Sequence, residues 1–183
     1  MSNMISIDKP GSRHDGLTIA LHWLTALLVV VNFLLAEFWD FFSKPNHHLM
    51  IVLHMSFGLL LTAVFVLRLV WRTRPGHTHF DDGKDLLNRG ARGLHHLLYL
   101  LLGAEILLGF ATRWTDNQPL SFFGLPIPSP FGDFSRATGH FVDQIHDYVA
   151  WTIIILAGLH ALAALLHHYV LKDGVMRRML PRG

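Results

Sequence analysis

The chain has 183 residues, 51% of them hydrophobic and only 15% charged, with a mean hydropathy of +0.37; soluble domains carry about 25% charged residues. A net charge of +2 gives no support to nucleic-acid binding. The absence of cysteine excludes disulfides, thiolate metal sites, iron–sulfur clusters and C-x-x-C-H haem attachment, and leaves 14 histidines as the compositional signal.

Met1 to Gly16 is polar, and the apolar run behind it is too long for a signal-peptide core and lacks an A-x-A-like site. It is read as an N-terminal segment, residues 1–16. A membrane span needs about 20 mostly apolar residues. Leu17–Phe38 supplies the first and Leu49–Trp71 the second, the latter broken only by Arg68 near its end, where a long side chain snorkels. Leu94–Thr112 supplies the third. Phe141–Leu171, longer than a bilayer requires, supplies the fourth and is expected to tilt or protrude. Residues 172–183 form a C-terminal tail. The predicted fold is all-α, an integral membrane four-helix bundle spanning residues 17–171.

The connections are read as interfacial. Trp39–His48 is an aromatic, polar turn. Arg72–Gly93 holds Pro75, Gly76, Gly83 and Gly90. Arg113–His140 holds Pro119, Pro126, Pro128 and Pro130, and is expected to be irregular backbone that water must satisfy. One side of the bundle carries Lys9, Arg13, Arg68, Arg72, Arg74, Lys84, Arg89, Arg92, Lys172, Arg177, Arg178 and Arg182; the other carries Lys44, Arg113 and Arg136. Twelve cations against three put both termini and the second loop in the cytoplasm.

This topology gives each histidine a depth. His146 and His160 lie fourteen residues apart, about 21 Å of helix rise, and return to within about 40° of one face. His54 in the second span matches the depth of His146 on the outer side. His22 in the first span matches His160 on the inner side. Histidine inside a span is costly and turns to a partner in the bundle interior. Any one of these alone fits a helix-bonding or interfacial role; four in two level pairs point to metal. Zinc wants three or four close ligands, whereas two histidines facing across a bundle suit the axial positions of a haem iron. Gly58, Ala157, Gly158 and Ala161 leave room for a flat macrocycle, although small residues also serve ordinary helix packing.

The runs Ile19-Ala20-Leu21-His22-Trp23, Leu53-His54-Met55-Ser56-Phe57-Gly58-Leu59, Ile145-His146-Asp147 and Gly158-Leu159-His160-Ala161-Leu162 resemble the bacterial cytochrome b561 family. So does the ending from His167-His168-Tyr169 through Lys172-Asp173-Gly174 to Met179-Leu180-Pro181-Arg182. The resemblance runs from about Leu17 to the C-terminus and is closest to small members of the superoxide oxidase type. It implies two non-covalent haem b groups, held by the pairs His22/His160 and His54/His146. It also implies electron transfer to ubiquinone, with superoxide as the outer-side donor. One departure stands out. Many relatives have proline in the middle of the third span, where this chain reads Gly103-Ala104-Glu105-Ile106. A carboxyl group there needs to be neutral or paired. A water near a haem propionate, a proton path and an arginine at the bundle edge are three partners open to it.

Three further sets of residues are candidates. His95, Tyr99, His167 and Lys172 are placed to line a quinone pocket, supplying a carbonyl donor and a proton source; interfacial anchoring is their plainer role. Arg68, inside a span, is the best candidate partner for a haem propionate. On the outer side Lys44, Arg113 and Arg136 are outnumbered by acids, so any steering of an anionic donor is local. Two competing functions remain at this level. One is a cytochrome b anchor and electron conduit of a hydrogenase- or formate dehydrogenase-like complex, disfavoured by the short loops. The other is a histidine-lined metal transporter. The oligomeric state is undetermined.

Overall fold

The computed structural model describes residues 15–74, 86–172 and 176–179. Lys9, Arg13, Pro75, Gly76, Gly83, Lys84, the end Leu180-Pro181-Arg182 and the side chains of Arg177 and Arg178 lie outside the described residues. Four helices make the structure: α1 (Gly16–Phe38), α2 (Lys44–Arg72), α3 (Leu86–Thr115) and α4 (Arg136–Leu166). Each is long and apolar enough to cross a membrane, and the protein is an all-α, multi-pass membrane bundle. Its outward faces suit lipid. Leu100 and Leu107, one heptad apart on α3, are 71% and 70% exposed, which an aqueous surface would penalise.

The helices run past the apolar stretches that announced them. α2 begins at Lys44, with proline in its first turn, and α3 holds Gly90 and reaches Thr115. Hydropathy marks where lipid ends, but the helix continues until a cap or a turn stops it. Asp15 caps α1 by accepting from the Thr18 amide at 2.9 Å. Ser135 caps α4 by accepting from the Thr138 amide. α4 ends in one π turn, His167–Leu171, closed by Lys172 in the left-handed region at φ 53°. Polar side chains within the spans bond back to their own helix: Thr25 to the Leu21 carbonyl, Thr62 to Gly58 and Thr152 to Tyr148. No water is needed to satisfy them.

α1 packs along α2, and α3 along α4, while α2 and α3 touch only sparsely. The bundle is thus two antiparallel pairs with space between them. At half height that space is closed by a core of Leu28, Leu61 and Leu102, with Phe57, Phe65 and Ile106 against it. Buried Ile153, seven residues from both His146 and His160, stands at the same level on α4. The end where α1 starts and α4 finishes is the termini end, and the other is the hairpin end.

The third connection differs from the irregular loop expected of it. It folds into an antiparallel hairpin, β1 (Leu120–Phe122) and β2 (Leu125–Ile127), with Phe122 opposite Leu125. Proline is tolerated because a two-stranded ribbon has only edges; Pro126 pairs with Ser121. The turn residues Phe123 and Gly124 both have positive φ, 47° and 90°, as a two-residue type I′ turn requires. Glycine adopts this freely, but phenylalanine does not. Phe123 is held there because its amide donates to the Ser56 hydroxyl at 2.8 Å and its ring meets Phe57. Ser56 is wholly buried and in turn donates to the Val52 carbonyl.

Candidate functional site

The depth-matched histidines meet. His54 on α2 and His146 on α4 have ring centroids 6.4 Å apart at the hairpin end. His22 on α1 and His160 on α4 are 6.5 Å apart at the termini end. Two imidazoles on opposite sides of one metal ion would stand roughly 6 Å apart, from two bonds of about 2 Å and two ring radii of about 1 Å. Both pairs therefore have the spacing of axial ligands, each joining two helices. Among the described residues no group of three or more His, Asp or Glu side chains converges as a directly bound metal would need.

The hairpin-end pair borders a cavity of about 510 Å³. All four helices line it: Asn32 and Phe33 from α1, His54 and Gly58 from α2, Glu105, Gly109, Thr112 and Arg113 from α3, His146, Ala150 and Ile153 from α4. Its size is that of a cofactor site. Gly109 lies against the His146 ring, where a Cβ would stand 3.4 Å from Cε1, at ordinary contact distance. A Cβ on Gly58 would meet nothing within 4 Å. The polar groups of the wall are unfinished. Among the described residues, six buried side-chain atoms lack a hydrogen-bond partner, and five of them, on Asn32, Glu105, Thr112, Arg113 and His146, belong to cavity-lining residues. Buried polar atoms are rarely left so, and the carboxylates of a bound group would accept from the Thr112 hydroxyl and Arg113 Nε. These residues fit a haem.

Both hairpin-end imidazoles have an acceptor beside Nδ1. The Asn32 carbonyl lies 3.0 Å from His54 Nδ1, and Glu105 Oε1 lies 3.1 Å from His146 Nδ1. The Glu105 contact has hydrogen-bond length without alignment, so His146 Nδ1 stays unpaired, and the other carboxyl oxygen, Oε2, is buried without a partner as well. Glu105 faces a histidine of α4.

At the termini end Arg68, on α2, brings Nη2 to 3.1 Å from His22 Nδ1, and its guanidinium lies 4.9 Å from the Tyr99 ring centroid. Arg72 shares that ring at 5.1 Å. His95 stacks edge-on to His160 at 5.0 Å. The structure thus gathers His95, Tyr99 and Arg68 around the His22/His160 pair. His167 and Lys172 stand in and just after the π turn that follows α4. Trp23 donates its indole N–H to the Met179 carbonyl, tying the tail to α1.

Sequence reasoning passed over Asn32, Gly109 and Thr112, left Glu105 without a partner and treated Arg113 as a rim charge. A signal existed. Positions 105, 109, 112 and 113 fall on one helical face, the face that continues through His95, Tyr99 and buried Leu102.

The prokaryotic cytochrome b561 family model matches residues 13–182. Cytochrome b561 homolog 2 of Escherichia coli is 31% identical over 180 residues, covering 96% of this chain and 95% of that protein. The probable superoxide oxidase CybB of Yersinia pestis is 30% identical over 174 residues, 93% of this chain and 97% of the relative. Cytochrome b562 of Cereibacter sphaeroides is 31% identical over 182 residues, 94% and 96% of the two chains. A match of this extent, on a bundle whose histidines pair at two levels, makes the chain a member of the prokaryotic cytochrome b561 family.

Proposed function

We propose that this protein is a di-haem b-type cytochrome that carries electrons across the bacterial inner membrane to ubiquinone, taking them from superoxide on the periplasmic side. Family membership implies b-type haem and electron transport; the haem number, the ligands, the donor and the acceptor are our reading. The observation that carries it is the pair of histidine pairs, at 6.4 and 6.5 Å, stacked on one helix. His54 and His146 would hold the hairpin-end haem, His22 and His160 the termini-end one. Bound haem supplies a one-electron carrier at each level.

The remaining work falls to the chain. The Leu28, Leu61, Leu102 and Ile153 layer keeps water out between the two levels, so charge crosses as electrons rather than ions. Arg68 at His22 and Arg113 in the hairpin-end cavity are placed to meet propionates. Arg113 also gives an anionic donor a local cation on a side that is acidic in bulk. His95 and Tyr99, with His167 and Lys172 on the same side, form the proposed quinone end, where histidine relays protons. Two superoxide anions release two dioxygen molecules and two electrons; those electrons and two protons convert one ubiquinone to ubiquinol. The excess of Lys and Arg at the termini end supports its placement in the cytoplasm, with residues 1–16 and 172–183 as cytoplasmic segments around the domain of residues 17–171.

The donor is supported by the likeness to the probable superoxide oxidase of Yersinia pestis. Stopped-flow mixing of the oxidised holoprotein with superoxide tests it. Haem reduction much faster than with other periplasmic-side reductants, followed by ubiquinol formation at two superoxide per quinone, is expected. Slow or absent reduction by superoxide removes this donor.

A further inference from the structure

We infer that Glu105 is a positioning residue for His146 and that it holds the hairpin-end haem at a lower potential than it would otherwise have. This rests on the ligand reading above. A metal-bound imidazole uses one ring nitrogen for the metal and donates an N–H from the other, and the acceptor of that N–H fixes the tautomer and raises the basicity of the ligand. His146 Nδ1 lies 3.1 Å from Glu105 Oε1, with side chains 21% and 15% exposed. This leaves His146 Nε2 for iron.

The placement is specific to this carboxylate. α3 contributes no haem ligand, yet α3 and α4 pack along their length, and Gly109, one turn from Glu105, lies against the His146 ring. Glu105 Oε2 is buried without a partner, so the group is not there to serve another ion pair of the described residues. The contact needs a small turn of the ring to become straight, the freedom an axial ligand uses to settle on its metal. At the termini end the nearest charge has the opposite sign: Arg68 Nη2, a donor only, is 3.1 Å from His22 Nδ1, so it acts on that level through its charge and not as an acceptor of a ligand N–H. A carboxylate on one ligand favours ferric iron, whereas a guanidinium at the other favours ferrous iron. Glu105 thereby tilts the ladder so that electrons leave the hairpin end for the termini end.

Potentiometry of purified holoprotein, with haem content by pyridine haemochrome and low-temperature EPR of the ferric state, tests this in Glu105→Gln and Glu105→Leu. Glu105→Leu is expected to raise the reduced-to-oxidised ratio of one haem about tenfold at fixed ambient potential, ~59 mV for one electron. Its ferric EPR signal should change while that of the other haem does not. Glu105→Gln, which keeps an acceptor without the charge, should move the same haem in the same direction by less. If Glu105→Leu loses that haem and Glu105→Gln keeps it with a raised midpoint, positioning is upheld. Unchanged midpoints in both variants, or equal shifts of both haems, overturn the inference. A wild-type protein without haem b, or a His146→Ala protein that keeps both haems, instead overturns the ligand reading.

Discussion

At the scale of the residue, four histidines distribute the proposed chemistry, and three of them have a polar group beside Nδ1. His54 has the Asn32 carbonyl, His146 has Glu105, and His22 has Arg68. A ligand pair fails as a unit, because one imidazole leaves its metal without the opposite bond. His54→Ala and His146→Ala are therefore each expected to remove the hairpin-end haem, and His22→Ala and His160→Ala the termini-end haem. Each variant should hold half the haem per polypeptide, read by pyridine haemochrome. Combining His54→Ala with His146→Ala should remove no more than either alone; combining His22→Ala with His146→Ala should empty both sites. If the last double variant kept one haem, the pairing would be wrong. The histidine levels were legible in the sequence because helical rise converts residue number into depth. The partner of Glu105 was not, since it lies on another helix 41 positions away and depends on how the two are rotated.

At the scale of the element, the hairpin between α3 and α4 is the feature least foreseen. Its prolines argued for irregular backbone, yet Pro126 sits in a strand of a ribbon that has only edges. The turn is kept by a bond to another element, from the Phe123 amide to Ser56. Ser56→Ala leaves that amide without its acceptor, a loss of about 1–3 kcal/mol, added to the tendency of Phe123 to leave positive φ. Thermal unfolding in detergent should show a midpoint several degrees lower. Thr62→Val, which removes only a bond within its own helix, should change it little. Equal effects would mean that Ser56 acts within α2 alone. The helices themselves were readable as apolar runs, but their ends were not. α2 begins at Lys44 and α3 extends to Thr115, beyond the stretches that hydropathy marks, because caps and turns, not lipid, stop a helix.

At the scale of the whole molecule, the protein is two antiparallel helix pairs, closed at half height by an apolar layer and open to a mainly apolar cavity toward the hairpin. The proposed function requires that the two ends face different compartments. With Lys and Arg concentrated at the termini end, a fluorescent protein fused after Gly183 should fold and fluoresce in the cytoplasm, and alkaline phosphatase inserted at Phe123 should be active. The reverse pattern would invert the electron path and exclude a periplasmic donor at the His54/His146 end.

The sequence by itself determined the four membrane helices, the two histidine levels and which level each histidine occupies. These follow from hydropathy and from the fixed rise of a helix, both local properties of the chain. Only the tertiary structure decided what the side chains between the levels face. That depends on the rotation of each helix about its axis and on the approach of neighbouring backbones. The close pairing of α3 with α4 turned Glu105 onto His146 and set Gly109 against the ring. The sparse contact of α2 with α3 left the cavity between the two helix pairs.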